Sequence, residues 1–562
     1  MTKAQKYYEK VLNIGVIILL AWHMIMTIGK IFFSAYKAEM IYAGVLFLLS
    51  FIYIVLCRVR WKGTQNRISL ITSRIRTKNQ CLCIVFFVWY VISLLINKGP
   101  RVKDNFWLLY DVGINCFLLF SLPAILPKEK GKKTIDFLLH VISLAGLCYV
   151  IYGLWHLFTL NYVYLDSGEF IGMTAKHNFE LGAYYNSTAA FALSFILLSL
   201  YMTATQNVLI KVFYILTLIP HTLTLILTNS RTAFGACIAA YFCFIFLVIW
   251  NNLQQKTIMI RLICAIIASA AAAAAIWMLR PLGFQFFESV TQFSTEKMNA
   301  VAMLHKGPVG YDEITAGNRI GRCMIFFSIP VLITKEKFTV LSKFVHHSIN
   351  RAVKISLAAA LIFVLFTFSI VVSPDTSDTA FVFNHNIVHA DVIVPDAVQS
   401  PSYTGAESVR DFGDFTTIKS REEIWKDSIK IMTSDWKTFL FGVTPLGFDD
   451  AIKRVTGKNT RVYHAHNEVL NMGVSLGVPM MLALLVLYIS IGIKSIRLCF
   501  LNKKQSFPGV YVLPIVFITF FISTLLEAYL FASFTIMSSL FFLFCGWINA
   551  LDMNRSTDGL DN

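Results

Sequence analysis

Charged residues are scarce in this chain. Of its 562 residues only 14% are Asp, Glu, Lys or Arg, whereas 56% are hydrophobic and the mean hydropathy is +0.64. Apolar runs of about twenty residues, the length that crosses a bilayer as a helix, recur along nearly the whole sequence. This composition predicts an all-α, polytopic membrane protein.

Cysteine is missing from the long polar segments, because all eleven cysteines lie in or beside apolar runs. The sequence therefore offers neither a disulfide framework nor a cysteine-ligated zinc site.

A small-residue cleavage site is missing as well. The first apolar run, at about 11–33, is too long for the hydrophobic region of a signal peptide, so we expect it to remain as a membrane span.

The apolar runs predict about fourteen transmembrane helices. With a cytoplasmic N-terminus, every strong Lys and Arg cluster falls on the cytoplasmic side, as does the C-terminus. The run 319–334 is short and carries Arg322, but without it the basic loop 335–354 would lie outside. The predicted spans are 11–33, 39–57, 80–97, 105–126, 136–160, 182–203, 208–228, 231–250, 257–280, 319–334, 352–373, 474–494, 510–529 and 531–550.

The net charge of +17 is explained by this topology, because most Lys and Arg residues sit in short loops between apolar runs. Membrane lipids are therefore the expected surroundings, and no nucleic-acid partner is expected. The predicted outer loops are 161–181, 281–318 and 374–473, the last being by far the longest. We expect any chemistry to be concentrated in this long extracytoplasmic loop.

Arg231 lies in a minimal outer turn between two apolar helices, within the sequence Thr-Asn-Ser-Arg-Thr-Ala-Phe. An arginine at membrane depth costs about 2.5 to 3.5 kcal/mol on insertion scales, and such residues usually face a cavity and pair with an anion. Arg231 either extends its side chain to the membrane surface or binds an anion such as a lipid-linked diphosphate, whose oxygens match the guanidinium fork.

The long loop contains a short amphipathic segment. Ser420 and Glu423 have the spacing of a capping box, which predicts a helix that begins there and carries Arg421 in its first turn. Taken alone, Arg421 is more typical of a solvated charge than of a functional site. A turn rich in glycine and proline follows at 439–447.

His464 and His466 come just before the next apolar run, with Asn467 as a helix-start residue. The dipole at a helix N-terminus lowers the pKa of a nearby imidazole, which keeps the ring neutral and able to accept a proton. A His-x-His pair is also half of a metal site. No cysteine accompanies it, however, and the acids of the loop lack ligand-like spacing, so we predict no metal.

These segments together resemble a known family. Ser230-Arg231-Thr232-Ala233, the Arg421-x-x-x-Trp425 spacing and His464-x-His466-Asn467 occur in the order seen in the O-antigen ligase and polysaccharide polymerase superfamily of bacterial membrane glycosyltransferases. Asn186-Ser187-Thr188-Ala189 is similar to a further segment of that family. The likeness covers about 182–490, but family ligases usually have twelve spans, and the added pair here is 319–373.

The resemblance implies a GT-C-like fold and an inverting, metal-independent glycosyltransferase without cofactors, in the bacterial cytoplasmic membrane. It would transfer a glycan from a polyprenyl-diphosphate donor to a hydroxyl of a glycan, glycolipid or protein acceptor on the extracytoplasmic face. His466 would be the base, and Arg231 and Arg421 would bind the diphosphate. Substrate contacts would come from His464, Asn467, Trp425, Tyr463 and Asn186.

The same resemblance divides the chain into N-terminal membrane helices at 1–181, a catalytic membrane region at 182–494, and a C-terminal helical pair with a cytoplasmic tail at 495–562.

Two other functions stay open. One is a multi-span exporter or flippase of lipid-linked oligosaccharide, although one long loop and no visible internal repeat speak against it. The other is a metal-dependent or carboxylate-based transferase. Polymerase, ligase and protein-glycosylating activities are not distinguished by the sequence.

Overall fold

The computed structural model describes thirteen stretches of the chain. The predicted spans 11–33, 39–57, 319–334 and 352–373 lie outside them, as does the first part of the long loop. The described residues are 78–97, 102–116, 128–160, 162–164, 170–174, 178–182, 184–205, 208–253, 255–291, 416–458, 464–499, 512–528 and 536–558, the 208–253 and 255–291 stretches being separated by one residue.

Helices dominate these stretches, and one short sheet interrupts them. The elements in chain order are α1 (Lys78–Ile96), α2 (Val102–Ile114), α3 (Lys128–Phe158), β1 (Val163–Tyr164), β2 (Phe170–Met173), β3 (Phe179–Leu181), α4 (Tyr185–Thr205), α5 (Val208–Leu227), α6 (Arg231–Asn252), α7 (Ile258–Thr291), α8 (Thr416–Met432), α9 (Trp436–Phe441), a 3-10 turn (Pro445–Gly447), α10 (Phe448–Thr456), α11 (Glu468–Leu476), α12 (Val478–Cys499), α13 (Val512–Thr524) and α14 (Ile536–Asp558).

Seven of the described helices are long and apolar enough to cross a membrane, namely α1, α3, α4, α5, α6, α7 and α12. The apolar parts of α13 and α14 are shorter. The predicted helical membrane protein is confirmed at this level, and the predicted span 136–160 corresponds to Ile135–Phe158. The predicted span 257–280 ends too early, because α7 continues through Pro281 to Thr291, so the predicted loop 281–318 is wrong at its start. The prediction of about fourteen spans and a GT-C-like arrangement stays a prediction.

The predicted span 474–494 is wrong at its start, because Gly477 divides it into α11 and α12. Gly477 has a φ of 92°, and a β-carbon on it would lie 2.1 Å from the carbonyl oxygen of Leu440. Only glycine fits such a conformation and approach. Pro479 follows in the first turn of α12, where a missing N–H costs nothing. The chain therefore turns between two helices at this point.

A three-stranded antiparallel sheet, ordered β1-β2-β3, lies between α3 and α4 in the predicted loop 161–181. Phe179 and Leu181 are buried on one face of β3, with Glu180 on the other. The hydroxyl of Tyr149 in α3 donates to the Leu181 carbonyl at 2.5 Å. The described part of the chain is thus not purely α-helical, and the sheet packs against α3 and α4.

Helix α4 is the most enclosed of the described spans, and α3, α5, α6, α13 and α14 pack around it. Helix α7 lies at the periphery against α6, and most of its apolar side chains are exposed. A helix that is apolar on all sides and faces outward suits lipid contact. The protein core is therefore centred on α4, whose first turn belongs to the site described next.

Candidate functional site

One buried carboxylate connects the predicted site residues. Glu527 follows the end of α13, and its side chain is only 1% exposed. Its Oε1 accepts hydrogen bonds from Nη2 of Arg421 at 2.5 Å and from Nδ2 of Asn186 at 3.0 Å. Its Oε2 lies 2.9 Å from Nδ1 of His466. Three side chains predicted from separate motifs therefore meet on a single glutamate.

The same cluster includes the start of α6. The hydroxyl of Ser230 donates to Oδ1 of Asn186 at 3.0 Å, and Nη1 of Arg421 donates to the hydroxyl of Thr232 at 3.3 Å. Arg231 lies between these two residues as the first residue of α6 and is half-buried. We refer to the cluster of Asn186, Ser230, Thr232, Arg421, His466 and Glu527 as the glutamate network.

His466 is held in an uncommon backbone conformation. Its φ is 48°, in the left-handed region that residues other than glycine seldom adopt. Asn467 caps α11, with its Oδ1 accepting from the Leu470 N–H at 3.0 Å, while its Nδ2 donates to the Leu525 carbonyl at 2.8 Å. The surroundings thus stabilise a strained position, as is common at functional sites.

The two histidines have complementary hydrogen-bonding patterns. Because an ionised carboxylate can only accept, Nδ1 of His466 carries the proton in its bond to Glu527, and Nε2 is its acceptor nitrogen. The His466 N–H donates to Nδ1 of His464 at 3.2 Å, so in His464 the proton is on Nε2. The rings lie 4.2 Å apart between centroids. The pair offers one proton acceptor and one donor.

Electrostatics favour a neutral His464 beside an ionised Glu527. Burial is the main cause that lowers the pKa of His464 to about 4, and the neighbouring His466 lowers it further. Burial alone would raise the pKa of Glu527, but the His466 hydrogen bond and the charges of His466 and Arg421 hold that pKa below its ordinary value. The lowered pKa agrees with the neutral imidazole expected from the sequence, but for His464 burial is the main cause.

The predicted start of the amphipathic helix is wrong. Helix α8 begins at Thr416, so Ser420 lies inside it and Arg421 is in the second turn. The amphipathic character is confirmed, since Ile431 and Met432 are buried while Glu422 and Lys426 are exposed. Trp425 lies one turn beyond Arg421 and is half-buried. Tyr463 lies outside the described residues, so its predicted role is not tested.

The turn rich in glycine docks onto the end of α1. Trp89 Nε1 donates to the carbonyls of Leu440 and Leu476, and the Ser93 hydroxyl donates to the Phe441 carbonyl at 2.6 Å. Gly442 has a φ of 66°, and a β-carbon on it would lie 2.4 Å from the Ser475 carbonyl. Side chains of α1 therefore hold the polypeptide that joins α8 to α11.

Sequence reasoning missed Glu527, although a signal was present. It is the only acidic residue between Glu468 and Asp552, within an otherwise apolar stretch. An ionisable residue in such a stretch is by default a candidate functional residue.

Arg280 was missed as well. It is buried in the second half of α7, and its Nη2 donates to Oδ1 of Asn229 at 2.5 Å, in the turn that precedes Arg231.

His464, His466 and Glu527 also have the make-up of a metal site, since one ligand atom from each lies within 4.8 Å of the others. The loop acids considered from the sequence do not contribute; the carboxylate comes from a distant segment. Arg421 is bonded to the same carboxylate, however, and a divalent ion would be repelled by this nearby cation. The absence of a metal requirement stays a prediction.

No protein-family model matches this chain, and no curated protein shows significant sequence similarity to it. The geometry of the glutamate network is therefore the main basis for a functional proposal.

Proposed function

We propose that the protein is a membrane glycosyltransferase that moves a glycan from a polyprenyl diphosphate to an acceptor hydroxyl. The observation that supports this most is the convergence of His466 and Arg421 on Glu527, beside the α6 turn that carries Arg231. A base and two cations at one end of an apolar bundle suit a reaction in which a hydroxyl loses a proton and a diphosphate gains charge.

In the proposed step, the acceptor hydroxyl attacks the anomeric carbon of the donor sugar. Its proton passes to Nε2 of His466, a bond forms between the acceptor oxygen and the anomeric carbon, and the bond from that carbon to the diphosphate breaks. Polyprenyl diphosphate leaves with the electron pair, and the configuration at the anomeric carbon is inverted. Such a base contributes about 100-fold to 10,000-fold in rate.

Arg231 and Arg421 stabilise the charge that grows on the leaving diphosphate. Guanidinium groups bind phosphate oxygens through two parallel N–H bonds, and in a site shielded from water these bonds are stronger than in solution. Loss of one such donor typically costs about 100-fold to 1,000-fold in rate. The two arginines thus supply the positive charge that a divalent ion supplies in other transferases.

The site end of the bundle, where α4 and α6 begin, faces the outside of a bacterial cytoplasmic membrane in this proposal. The placement of Lys and Arg clusters supports that orientation, because they favour the cytoplasmic side. The donor is then a lipid-linked glycan in the outer leaflet, and its long polyprenyl chain lies in the bilayer beside the apolar helices. Acceptors of the glycan, glycolipid or protein class would approach from the aqueous side.

The test is to express His466→Ala, Arg231→Ala and Arg421→Ala separately in the native host and to analyse surface glycans and polyprenyl-linked intermediates. Lys426→Ala is the matched control, since it removes an exposed cation from the same helix as Arg421. The proposal expects the three site variants to lose surface glycan and accumulate outward-facing lipid-linked precursor, with the control unaffected. Precursor trapped on the cytoplasmic face would indicate a flippase instead, and normal glycan would refute the site.

A further inference from the structure

We propose that Glu527 is a positioning residue that fixes the proton of His466 on Nδ1, so that Nε2 keeps the lone pair with which it accepts the acceptor's proton. This inference rests on the proposed function for its kinetic consequence, although the proton position in His466 can be measured without any turnover. It assigns a role to a residue outside all the sequence motifs that carry the resemblance.

The first support is the way the two carboxylate oxygens are used. Oε1 accepts hydrogen bonds from Arg421 and Asn186, whereas Oε2 lies 2.9 Å from Nδ1 of His466. Arg421 and Asn186 thus hold the carboxyl group from one side and fix the direction of the other oxygen. A carboxylate with three hydrogen-bond partners can present Oε2 to the imidazole with little freedom to rotate.

The second support is burial. The Glu527 side chain is 1% exposed, and a charge at such a place is costly unless it is paired and hydrogen-bonded. The same arrangement occurs where a buried acid orients a catalytic histidine in hydrolases, keeping the ring in one tautomer and stabilising it when it becomes protonated. Unlike in a surface ion pair, each partner of Glu527 here belongs to the proposed site.

The third support is the conformation of His466. Its left-handed backbone, φ 48°, places the ring where it contacts Glu527 while the Asn467 cap begins α11. A strained backbone persists only when the surroundings define the position strongly. The bond to Glu527 fixes the side chain, and the bonds of Asn467 to Leu470 and Leu525 fix the backbone.

Glu527→Gln is a sharp test because it keeps the shape of the side chain and replaces one carboxylate oxygen, an acceptor, with an amide group, a donor. Its carbonyl oxygen can replace Oε1 and still accept from Arg421 and Asn186. Its amide group would then face His466 and donate to Nδ1. The imidazole proton would have to move to Nε2, which removes the lone pair needed by the base. Donor binding through Arg421 is retained, while proton transfer is lost.

The experiment uses the full-length protein in lipid nanodiscs with ¹⁵N-labelled histidine, and the His466 signals are assigned by comparison with His466→Gln. We expect the proton of His466 on Nδ1 in the wild type and on Nε2 in Glu527→Gln. In parallel, turnover of a polyprenyl-diphosphate glycan is measured. Glu527→Gln should lower kcat by at least about 100-fold with little change in the KM for the donor.

Asp427→Asn is the matched control. Asp427 is a buried carboxylate in α8, paired with Lys458 at 2.6 Å and without a bond to His466. The Asp427→Asn substitution should lower thermal stability without moving the His466 proton. Glu527→Asp, which keeps the charge, should retain the proton on Nδ1 and recover part of kcat; it also replaces Glu527→Gln if that variant does not fold.

The outcomes separate the two proposals. A folded Glu527→Gln protein with an unchanged His466 tautomer and normal kcat would overturn the positioning role. If the wild-type protein transfers glycan in that case, the proposed function still stands. If the tautomer changes but the wild type transfers no glycan, the positioning role stands and the proposed function fails. Loss of the Nδ1 proton in Glu527→Asp would also count against a charge-dependent role.

Discussion

Nη2 of Arg421 lies 2.5 Å from Oε1 of Glu527, and this ion pair joins α8 to the turn after α13 across 106 residues of sequence. Both partners are shielded from water, with side-chain exposures of 16% and 1%. Removal of one partner from such a pair leaves a buried charge uncompensated. The pair therefore affects both the stability of the fold and the geometry of the glutamate network.

Arg421→Ala should destabilise the protein by about 3 kcal/mol, because Glu527 loses its cation. Arg421→Lys should recover much of the stability, but not the activity, since an ammonium cannot bind two phosphate oxygens as a guanidinium does. Thermal unfolding in detergent and donor turnover measure the two effects. Lys426→Ala, which breaks an exposed pair with Glu422, should change stability little, because water screens such a pair. Equal effects of Arg421→Ala and Lys426→Ala would contradict this account.

The turn at Gly442 can be compared with Gly457, a glycine of nearly equal φ but different ψ, which is −163° at Gly442 and −1° at Gly457. Gly442 has a φ of 66° and Gly457 a φ of 71°, but a β-carbon on Gly442 would lie 2.4 Å from the Ser475 carbonyl, whereas no atom of the described residues lies within 4 Å of one on Gly457. Gly457→Ala should cost about 1 kcal/mol of backbone strain. Gly442→Ala should cost clearly more and also lower activity. Similar unfolding temperatures for the two variants would be evidence against tight docking of this turn.

Glu180 should make stability fall as pH rises. Burial raises its pKa to about 7, although the Tyr185 N–H bond partly offsets this. The folded protein therefore binds the proton more tightly than the unfolded chain does, and stability declines between the ordinary glutamate pKa and about 7. Glu180→Gln should flatten this decline and raise the unfolding temperature at about pH 8 but not at about pH 5. Glu288→Gln, at an exposed position, is the control; an equal effect of both variants would refute the assignment.

Arg280 should influence donor binding through Asn229. Asn229 has a left-handed φ of 57° in the turn before Arg231, and its Oδ1 accepts from Arg280. Arg280→Gln should raise the KM for the donor about tenfold, equivalent to about 1.4 kcal/mol. Asn229→Gly, which tolerates the backbone angle but lacks the acceptor, should have a similar effect. Arg261→Gln, near the start of α7, should leave the KM unchanged; a rise there too would point to a general effect on the helix.

A chelator should leave activity intact, because Arg421 and Arg231 provide the positive charge in the proposed mechanism. The measurement is donor turnover after extended treatment with EDTA, followed by addition of Zn²⁺ or Mn²⁺. Loss of activity that either ion restores would show that His464, His466 and Glu527 bind a metal, which their ligand atoms are close enough to do. The proposed roles of the arginines would then need revision.

The membrane helices were predictable because long apolar runs between polar turns define them; the limits of α5 and α6 differ from the prediction by no more than two residues. The short sheet was not, since its strands have two to four residues, too few for an alternating pattern to stand out. The start of α8 was placed one turn late because the spacing of Ser420 and Glu423 imitates a cap inside a helix.

Part of the candidate site was also predictable. Arg421, His466 and Asn186 were identified from separate motifs, and the structure brings them together. Their common partner was not identified, because Glu527 is 61 residues from His466 and 341 from Asn186, and local patterns carry no information about such contacts. Its isolation in an apolar stretch was the available signal.

The most direct test of the central claim uses the purified full-length protein in liposomes with a polyprenyl-diphosphate-linked glycan and a glycan acceptor. The account predicts that the wild type forms a glycan conjugate and releases polyprenyl diphosphate in equal amounts, and that His466→Ala lowers the rate by about 100-fold or more. Equal rates for the wild type and a folded His466→Ala protein, or the absence of any conjugate with the donor intact, would contradict it.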